Sequence, residues 1–203
     1  APALRSIKGL RAACSVTALR AGRAVAESSG EIQFGDGALS GICIFDLAAH
    51  APDTVSINLL PELTPDAAEA LFSHILRVRA GAPLEDAFTG VFNRRLAQCL
   101  LRRAGYSRLS DPAADGGETL ARSLAEISLN FVFSVAPSSW DRAQVSRGGV
   151  RESELTHDLE LKKLPKAYVC GEAVDILGPC GGYNLHWAWS SGRCAGHNAA
   201  KTL

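Results

Sequence analysis

The last third of the chain places a glycine-rich loop between an apolar segment and a long helical pattern. QVSRGGV, residues 144–150, predicts the end of a strand at a glycine pair. The apolar segment LPKAYVCGE, residues 164–172, predicts a strand that ends in a glycine and a glutamate. The loop DILGPCGG follows, and a helix is predicted from Tyr183 to Leu203. Doubly wound α/β proteins bind phosphates and cofactors where such a strand ends and such a helix begins. This order therefore predicts an α/β unit with a binding site in the loop.

The residue types in this loop indicate the chemistry of the ligand. The first amide groups of a helix have no partner inside the helix, and the helix dipole adds partial positive charge there. Because Gly181 and Gly182 lack a β-carbon, a planar or anionic ligand can approach the backbone closely. Glu172 can accept hydrogen bonds from ligand hydroxyls, as acidic residues do with ribose. A polyol and an anionic ring edge together indicate a flavin.

The first 61 residues have the pattern of short strands joined by turns. CSVTALRAGRAVAES predicts two strands around an Ala-Gly turn, EIQF a further short apolar run, and VSINLLPEL a strand ending at Pro61. Ser40 is predicted to cap a short helix that carries Ile42, Phe45 and Asp46. This part of the chain is therefore expected to be rich in β-structure.

A helical period begins at Thr64, which is predicted to cap a helix that has Pro65 in its first position and stops at Gly81. NRRLAQCLLRRAG predicts a second helix that ends at Gly105, DPAADGG a loop at residues 111–117, and ETLARSLAEI a third helix. Alternating apolar residues in ISLNFVFSV, from 127 to 135, then predict a half-buried strand.

Charge and composition exclude several classes of partner and compartment. Lys plus Arg and Asp plus Glu number 21 each, so the balance favours neither nucleic acid nor an anionic membrane. No apolar run approaches the ~20 residues of a membrane span, and a cytoplasmic location is expected. The six cysteines lack the dense spacing of a disulfide scaffold, so reduced thiols are predicted.

The chain resembles a known family in several long runs. VSRGGVRESEL and LKKLPKAYVCGEAVDILGPCGGYNLHWAWSSGRCAG resemble the carboxyl-terminal signature of the HI0933-like family (BaiN, aminoacetone oxidase type) of NAD(P)/FAD-dependent oxidoreductases. GEIQFGDGALSGICIFDL and LEDAFTGVFNRRLAQCLLRRAG resemble the beginning and the helical part of a domain inserted into that family's FAD domain. The resemblance covers nearly the whole chain.

The resemblance implies an α+β fold, in which a β-rich insert domain with a small helical bundle is followed by the last strand and helix of a Rossmann-like FAD-binding domain. Residues 1–61 would be the β-rich part of the insert, 62–126 its helical part and 127–147 the return to the β-rich part. Residues 148–203 would be the carboxyl-terminal segment of the FAD domain. The insert is expected to form the substrate side of the active site.

The resemblance also implies a set of FAD-binding residues. Gly171 and Glu172 would meet the ribityl and pyrophosphate side of FAD, and Gly148 and Gly149 are further candidates. The pyrimidine edge of the ring would lie along Gly181, Gly182, Tyr183, Asn184 and Leu185. NAD(P)H is a candidate electron donor, a small molecule is the expected substrate, and no residue is identified as a catalytic acid, base or nucleophile.

One element of such proteins is absent from the sequence. No G-x-G-x-x-G occurs to bind the FAD pyrophosphate, and the chain contains no methionine. We therefore expect the chain to be the carboxyl-terminal portion of a longer flavoprotein, inactive by itself and completed by an amino-terminal half. The alternative is a non-catalytic binding or interaction module, a remnant that no longer binds FAD.

Several of these residues could also serve other roles. Cys170, Cys180, Cys194 and His197 could ligate zinc, but they lack the close pairs of a structural site, and a Cys170–Cys180 redox pair has equally little support. Trp187 and Trp189 are expected to pack in a core or an interface, and His186 and His197 to have no functional role. Arg94, Arg95, Arg102 and Arg103 predict a solvated helix face in preference to an RNA-binding one.

Overall fold

A computed structural model describes residues 2–136, 143 and 145–201, and the chain divides into two compact units. Unit 1 is Ala1–Ala136 and unit 2 is Pro137–Leu203. The predicted segment 127–147 includes residues 137–142 and 144, which lie outside the described residues. The assignment of the two units to an insert and an FAD domain stays a prediction.

Unit 1 is built on a five-stranded antiparallel sheet with the order β3-β2-β1-β4-β5. Along β1, alternate residues Cys14, Val16 and Ala18 are buried, because successive side chains of a strand point to opposite faces. The strands are β1 Arg11–Arg20, β2 Arg23–Phe34, β3 Leu39–Ser40, β4 Thr54–Asn58 and β5 Phe131–Ser134.

The predicted Ala-Gly turn joins β1 and β2. Ala21 and Gly22 have φ angles of 49° and 74°, and two-residue hairpin turns favour positive φ because it matches the twist of the strands. The backbone N–H of Ala21 donates to Asp53 Oδ2 at 2.7 Å, and this hydrogen bond lowers the pKa of the Asp53 carboxyl. The turn prediction is confirmed.

Six helices complete unit 1, and their amphipathic faces cover the sheet and one another. Thr64 caps α3 as predicted, since its Oγ1 accepts a hydrogen bond from Ala67 N at 3.3 Å. Helix α3 packs against α6, and α2 packs against β2. The helices are α1 Pro2–Ser6, α2 Ile42–Ala48, α3 Pro65–Val78, α4 Leu84–Ala87, α5 Arg94–Arg103 and α6 Gly117–Leu129.

Three local predictions in unit 1 were wrong. Helix α2 starts after Gly41, and Ser40 belongs to β3 and does not cap the helix. Residues 127–129 form the last turn of α6 because the helical hydrogen bonds continue as far as Asn130 N–H, which donates to Glu126 O. The predicted loop 111–117 contains the 3-10 helix Ala113–Gly116.

Unit 2 contains the helix α7, Tyr183–Lys201, which agrees with the predicted start. The strands predicted at 144–150 and 164–172 are wrong for the described residues; Gln144 lies outside them. These segments form only the single bridges Val150–Val174 and Glu160–Tyr168, and a strand needs a partner along its length. The short 3-10 helix Glu152–Glu154 lies between the two segments, and a second one, Gly171–Ala173, begins at the end of the segment 164–172.

The core of unit 2 is small. Leu155, Val174 and Ala195 are its only fully buried hydrophobic residues among those the structure describes. Leu185 is 62% and Trp189 71% exposed, so Trp189 does not pack in a core of this unit as expected. None of the described helices has the length and apolar character needed to span a bilayer.

Ser128 on α6 carries a buried hydroxyl that has no hydrogen-bond partner among the described residues. Because an unsatisfied buried polar group costs free energy, we expect Ser128→Ala to raise the free energy of unfolding by about 1 kcal/mol. Urea unfolding measures the change. Ser123→Ala on the same helix controls for helix propensity, and an equal gain in both variants would contradict the prediction.

Candidate cofactor site

The loop at residues 146–150 lies against the loop at 171–175. Ser146 Oγ donates to Glu172 Oε2 at 3.2 Å, and the backbone N–H of Gly148 donates to Asp175 Oδ1 at 3.1 Å. Val150 N–H donates to Ala173 O at 2.8 Å. The structure therefore brings two of the predicted groups together: the glycine pair at 148–149 and the pair Gly171–Glu172.

Gly149 is required by this contact, whatever the ligand. Its φ angle is 131°, and a β-carbon at this position would lie 2.5 Å from Ala173 O. A side chain would therefore both strain the backbone and push the two loops apart. The glycine pair has a structural role in addition to the cofactor contact that we predicted.

Helix α7 fixes the peptide groups of Gly171. Trp187 Nε1 donates to Gly171 O at 3.0 Å, and Ser191 Oγ accepts from Gly171 N at 2.9 Å. Trp187 and Ser191 are four residues apart and therefore lie on one face of the helix. Sequence reasoning treated Trp187 only as packing and did not single out Ser191; the Trp-x-x-x-Ser spacing was the available signal.

Because of these hydrogen bonds, Gly171 and Glu172 at the end of the predicted strand can make different contacts with a ligand. Because the N–H and C=O of Gly171 are already bonded to α7, Gly171 can offer a ligand only its bare Cα surface. Glu172 is exposed and holds one serine hydroxyl, which leaves its carboxylate free to accept further hydrogen bonds. Glu172 is thus the polar group of this segment.

The start of α7 is open, as the glycine pair predicted. Gly181 and Gly182 have φ angles of 126° and 96°, and a β-carbon on Gly182 would meet nothing within 4 Å. His186 N–H donates to Gly182 O at 3.0 Å, so the amides of residues 183–185 precede the first bond of the helical ladder. They add donor groups to the positive end of the helix dipole.

Asn184 has a role that the sequence did not suggest. Its Oδ1 accepts from Gly178 N at 2.8 Å, and its Nδ2 donates to Gly178 O at 3.1 Å. The side chain therefore closes the loop before α7, and its backbone N–H stays available to a ligand. Tyr183 and Leu185 are each 62% exposed.

The two parts of the site flank the first turns of one helix. A β-carbon on Gly171 would lie 3.8 Å from Ala188 Cβ, and Ala188 is five residues after Tyr183, a rise of about 7.5 Å. Open glycines and helix amides suit the anionic edge of a flavin, and the exposed carboxylate of Glu172 suits its hydroxyls. The residues present therefore fit the flavin side of FAD.

A cavity of about 520 Å³ opens beside α7 within unit 2. Its walls are mainly apolar and include Leu155, Val174, Ile176 and Trp187. Within the described residues, no three His, Cys, Asp or Glu side chains are grouped so that they could hold a metal ion, and this includes Cys170, Cys180, Cys194 and His197.

The comparison with protein families defines the class of this protein. A family model described as the HI0933-like protein Rossmann domain matches residues 12–198, so the chain belongs to the HI0933-like family. The resemblance to this family is confirmed, and the expected lack of the amino-terminal G-x-G-x-x-G segment stays a prediction. The match also covers the antiparallel sheet of unit 1, and the arrangement of that unit as an insert stays a prediction.

Two curated relatives match most of the chain. The chain is 31% identical over 203 residues to a 3-dehydro-bile acid delta(4,6)-reductase of Clostridium scindens, covering 95% of this chain and 49% of that protein. It is 28% identical over 159 residues to a ribosomal RNA dihydrouridine synthase of Escherichia coli, covering 75% and 38%. The chain thus spans at most about half the length of these relatives.

Proposed function

We propose that this chain is the carboxyl-terminal part of an FAD-dependent oxidoreductase and that unit 2 supplies the flavin-ring and ribityl side of its site. The observation that carries the proposal is the open start of α7 at Gly181 and Gly182, with the exposed carboxylate of Glu172 beside the same helix. The family match over residues 12–198 supports it. Bound FAD would supply the hydride chemistry.

The groups of this chain would bind the cofactor and orient it. The amides of Tyr183, Asn184 and Leu185 would donate to the pyrimidine edge of the ring, where their partial positive charge would favour extra negative charge. Glu172 would accept hydrogen bonds from ribityl hydroxyls, and Gly171 would let the cofactor pass close to the backbone. Trp187, Ser191 and Asn184 hold these groups in place through their bonds to Gly171 and Gly178.

We propose that unit 2 is completed by an amino-terminal half that carries the pyrophosphate-binding G-x-G-x-x-G turn. The small core of the unit, the exposed Leu185 and Trp189, and the apolar cavity beside α7 support this proposal. Small domains are stabilised by the apolar surface that they bury, and only Leu155, Val174 and Ala195 are fully buried among the described hydrophobic residues of unit 2. Unit 1 would form the substrate side of the completed site.

The names of the relatives favour a reductive direction. One is a reductase and the other makes dihydrouridine, so both add hydrogen to their substrates. We propose that NAD(P)H is the electron donor and that a small organic molecule accepts the electrons. The small-molecule reading has the wider support, because the match to the bile acid reductase covers 95% of this chain.

The arginines of α5 support the same choice over RNA. Arg94 pairs with Glu85 at 2.9 Å and with Asp86 at 2.8 Å. Arg95 donates to Ser6 O at 2.7 Å, and Arg103 donates to Val132 O at 2.8 Å. These guanidinium groups stabilise unit 1, which leaves them less able to neutralise phosphates.

A titration with FAD, followed by flavin fluorescence, tests the proposed function. We expect residues 1–203 alone to bind FAD with a Kd above about 1 μM, equivalent to roughly 8 kcal/mol, because the pyrophosphate cradle is missing. The product of the complete reading frame should retain FAD and be reduced by NADH or NADPH. A full product that neither binds FAD nor is reduced would favour the non-catalytic module. Tight binding by residues 1–203 alone would refute the need for an amino-terminal half.

A further inference from the structure

Cys14 of β1 and Cys43 of α2 lie side by side in the interior of unit 1. Cys14 is directly opposite Gly30 in the β1–β2 ladder. Side chains at opposite positions of an antiparallel pair share one face of the sheet, with β-carbons about 4.5–5.5 Å apart. The Cys14 side chain therefore points to the face on which the side chain of residue 30 would stand.

Cys43 lies against the same spot. A β-carbon on residue 30 would be in van der Waals contact with Cys43, 3.6 Å from its Cβ and 3.9 Å from its Sγ. Cys43 Sγ donates to Glu31 O at 3.7 Å, and Cys14 and Cys43 are only 3% and 1% exposed. Both thiols therefore lie in the interior beside Gly30, on the face of the sheet that α2 covers.

We propose that Cys14 and Cys43 form a dithiol that a low-molecular-weight disulfide, such as oxidised glutathione, converts to an intramolecular disulfide tethering α2 to β1. One cysteine thiolate attacks the small disulfide, forms a mixed disulfide and releases one glutathione thiol. The other cysteine then attacks the mixed disulfide and releases the second. Two protein thiol protons are lost, one protein S–S bond forms, and the small disulfide is reduced by two electrons.

The environment of the pair makes this reaction slow in the folded protein. Burial, followed by the neighbouring Cys43, raises the pKa of the Cys14 thiol to about 12, and burial also raises the pKa of Cys43. Since the thiolate is the attacking form, oxidation becomes faster with rising pH and when α2 moves away from the sheet. Cys99 does not compete for either partner, because its neighbours are Ser6 and Arg103.

Peptide mass spectrometry tests the pair in the 203-residue chain. To remove the cysteines of unit 2, the test uses Cys170→Ser, Cys180→Ser and Cys194→Ser together as the background. The protein is incubated with oxidised glutathione at pH 8 to 9, about the pKa of an ordinary thiol, and then alkylated and digested. We expect a Cys14–Cys43 linked peptide that dithiothreitol abolishes, while Cys99 remains alkylated.

Thermal unfolding gives a second readout of the same disulfide. Closing a loop of about 30 residues is expected to raise the midpoint by roughly 10 °C over the reduced protein. In Cys43→Ala, neither the linked peptide nor the oxidation-dependent rise should occur. The proposal would be overturned if Cys14 and Cys43 were still fully alkylated after the incubation. It would also be overturned if the reaction stopped at a glutathione adduct of either cysteine.

Discussion

Gly41→Ala is expected to lower the free energy of unfolding of the protein by about 4 kcal/mol, as the sum of backbone strain and overpacking. Gly41 precedes α2 with a φ angle of 124°, which L-residues rarely adopt. A β-carbon there would also clash with the carbonyl oxygen of Glu31 in β2. Because that carbonyl belongs to β2, which pairs with β1 at this point through Glu31 and Ala13, the strand cannot move away without disturbing the β1–β2 ladder.

Gly37→Ala is the matched control for this variant. Gly37 also has a positive φ, 73°, but a β-carbon on it would meet nothing within 4 Å. Gly37→Ala should therefore lower the free energy of unfolding by backbone strain alone, about 1 kcal/mol. Urea unfolding followed by circular dichroism compares the two variants, and equal losses would show that the approach of α2 to Glu31 is not the limiting contact.

Glu172→Ala is expected to weaken FAD binding by about 1.5 to 3 kcal/mol, a rise in Kd of roughly 10- to 150-fold. The reason is that Glu172 carries the exposed carboxylate beside α7, whereas the backbone groups of Gly171 are already bonded to that helix. The measurement is a fluorescence titration of the FAD-binding product of the complete reading frame, with circular dichroism as a check on folding.

Two further variants separate charge and position in the same titration. Glu172→Gln keeps one acceptor oxygen but loses the charge, so its Kd should fall between those of wild type and Glu172→Ala. Glu152→Ala removes an exposed carboxylate from the other short 3-10 helix of unit 2 and should bind FAD as wild type does. An unchanged Kd in Glu172→Ala would show that Glu172 does not contribute to FAD binding.

Local sequence patterns predicted the elements that depend on near neighbours along the chain. The Ala21–Gly22 hairpin turn, the Thr64 cap and the start of α7 at Tyr183 are all set by backbone preferences and by short-range hydrogen bonds. The glycine pair at 181–182 likewise predicted an open helix start, because the missing β-carbons and the first amides of a helix are local properties.

Patterns of apolar residues were less reliable where a partner strand was needed. The run at 164–172 has the composition of a buried strand, but in unit 2 it finds a bridge only at Tyr168. Residues 127–129 alternate as a strand would, yet they complete α6, since the helix can extend by one more turn before β5 pairs with β4. Composition does not reveal whether a neighbouring strand is present.

The sequence by itself determined the family, the order of most elements and the open glycine pair before α7. Only the tertiary structure decided how Gly171 and Gly178 are held. Trp187 and Ser191 form hydrogen bonds with Gly171, and Asn184 forms hydrogen bonds with Gly178. It also brought Cys43 beside Gly30, which lies opposite Cys14 in the sheet. These contacts join groups from separate segments, and a distance across a fold depends on packing that no local pattern specifies.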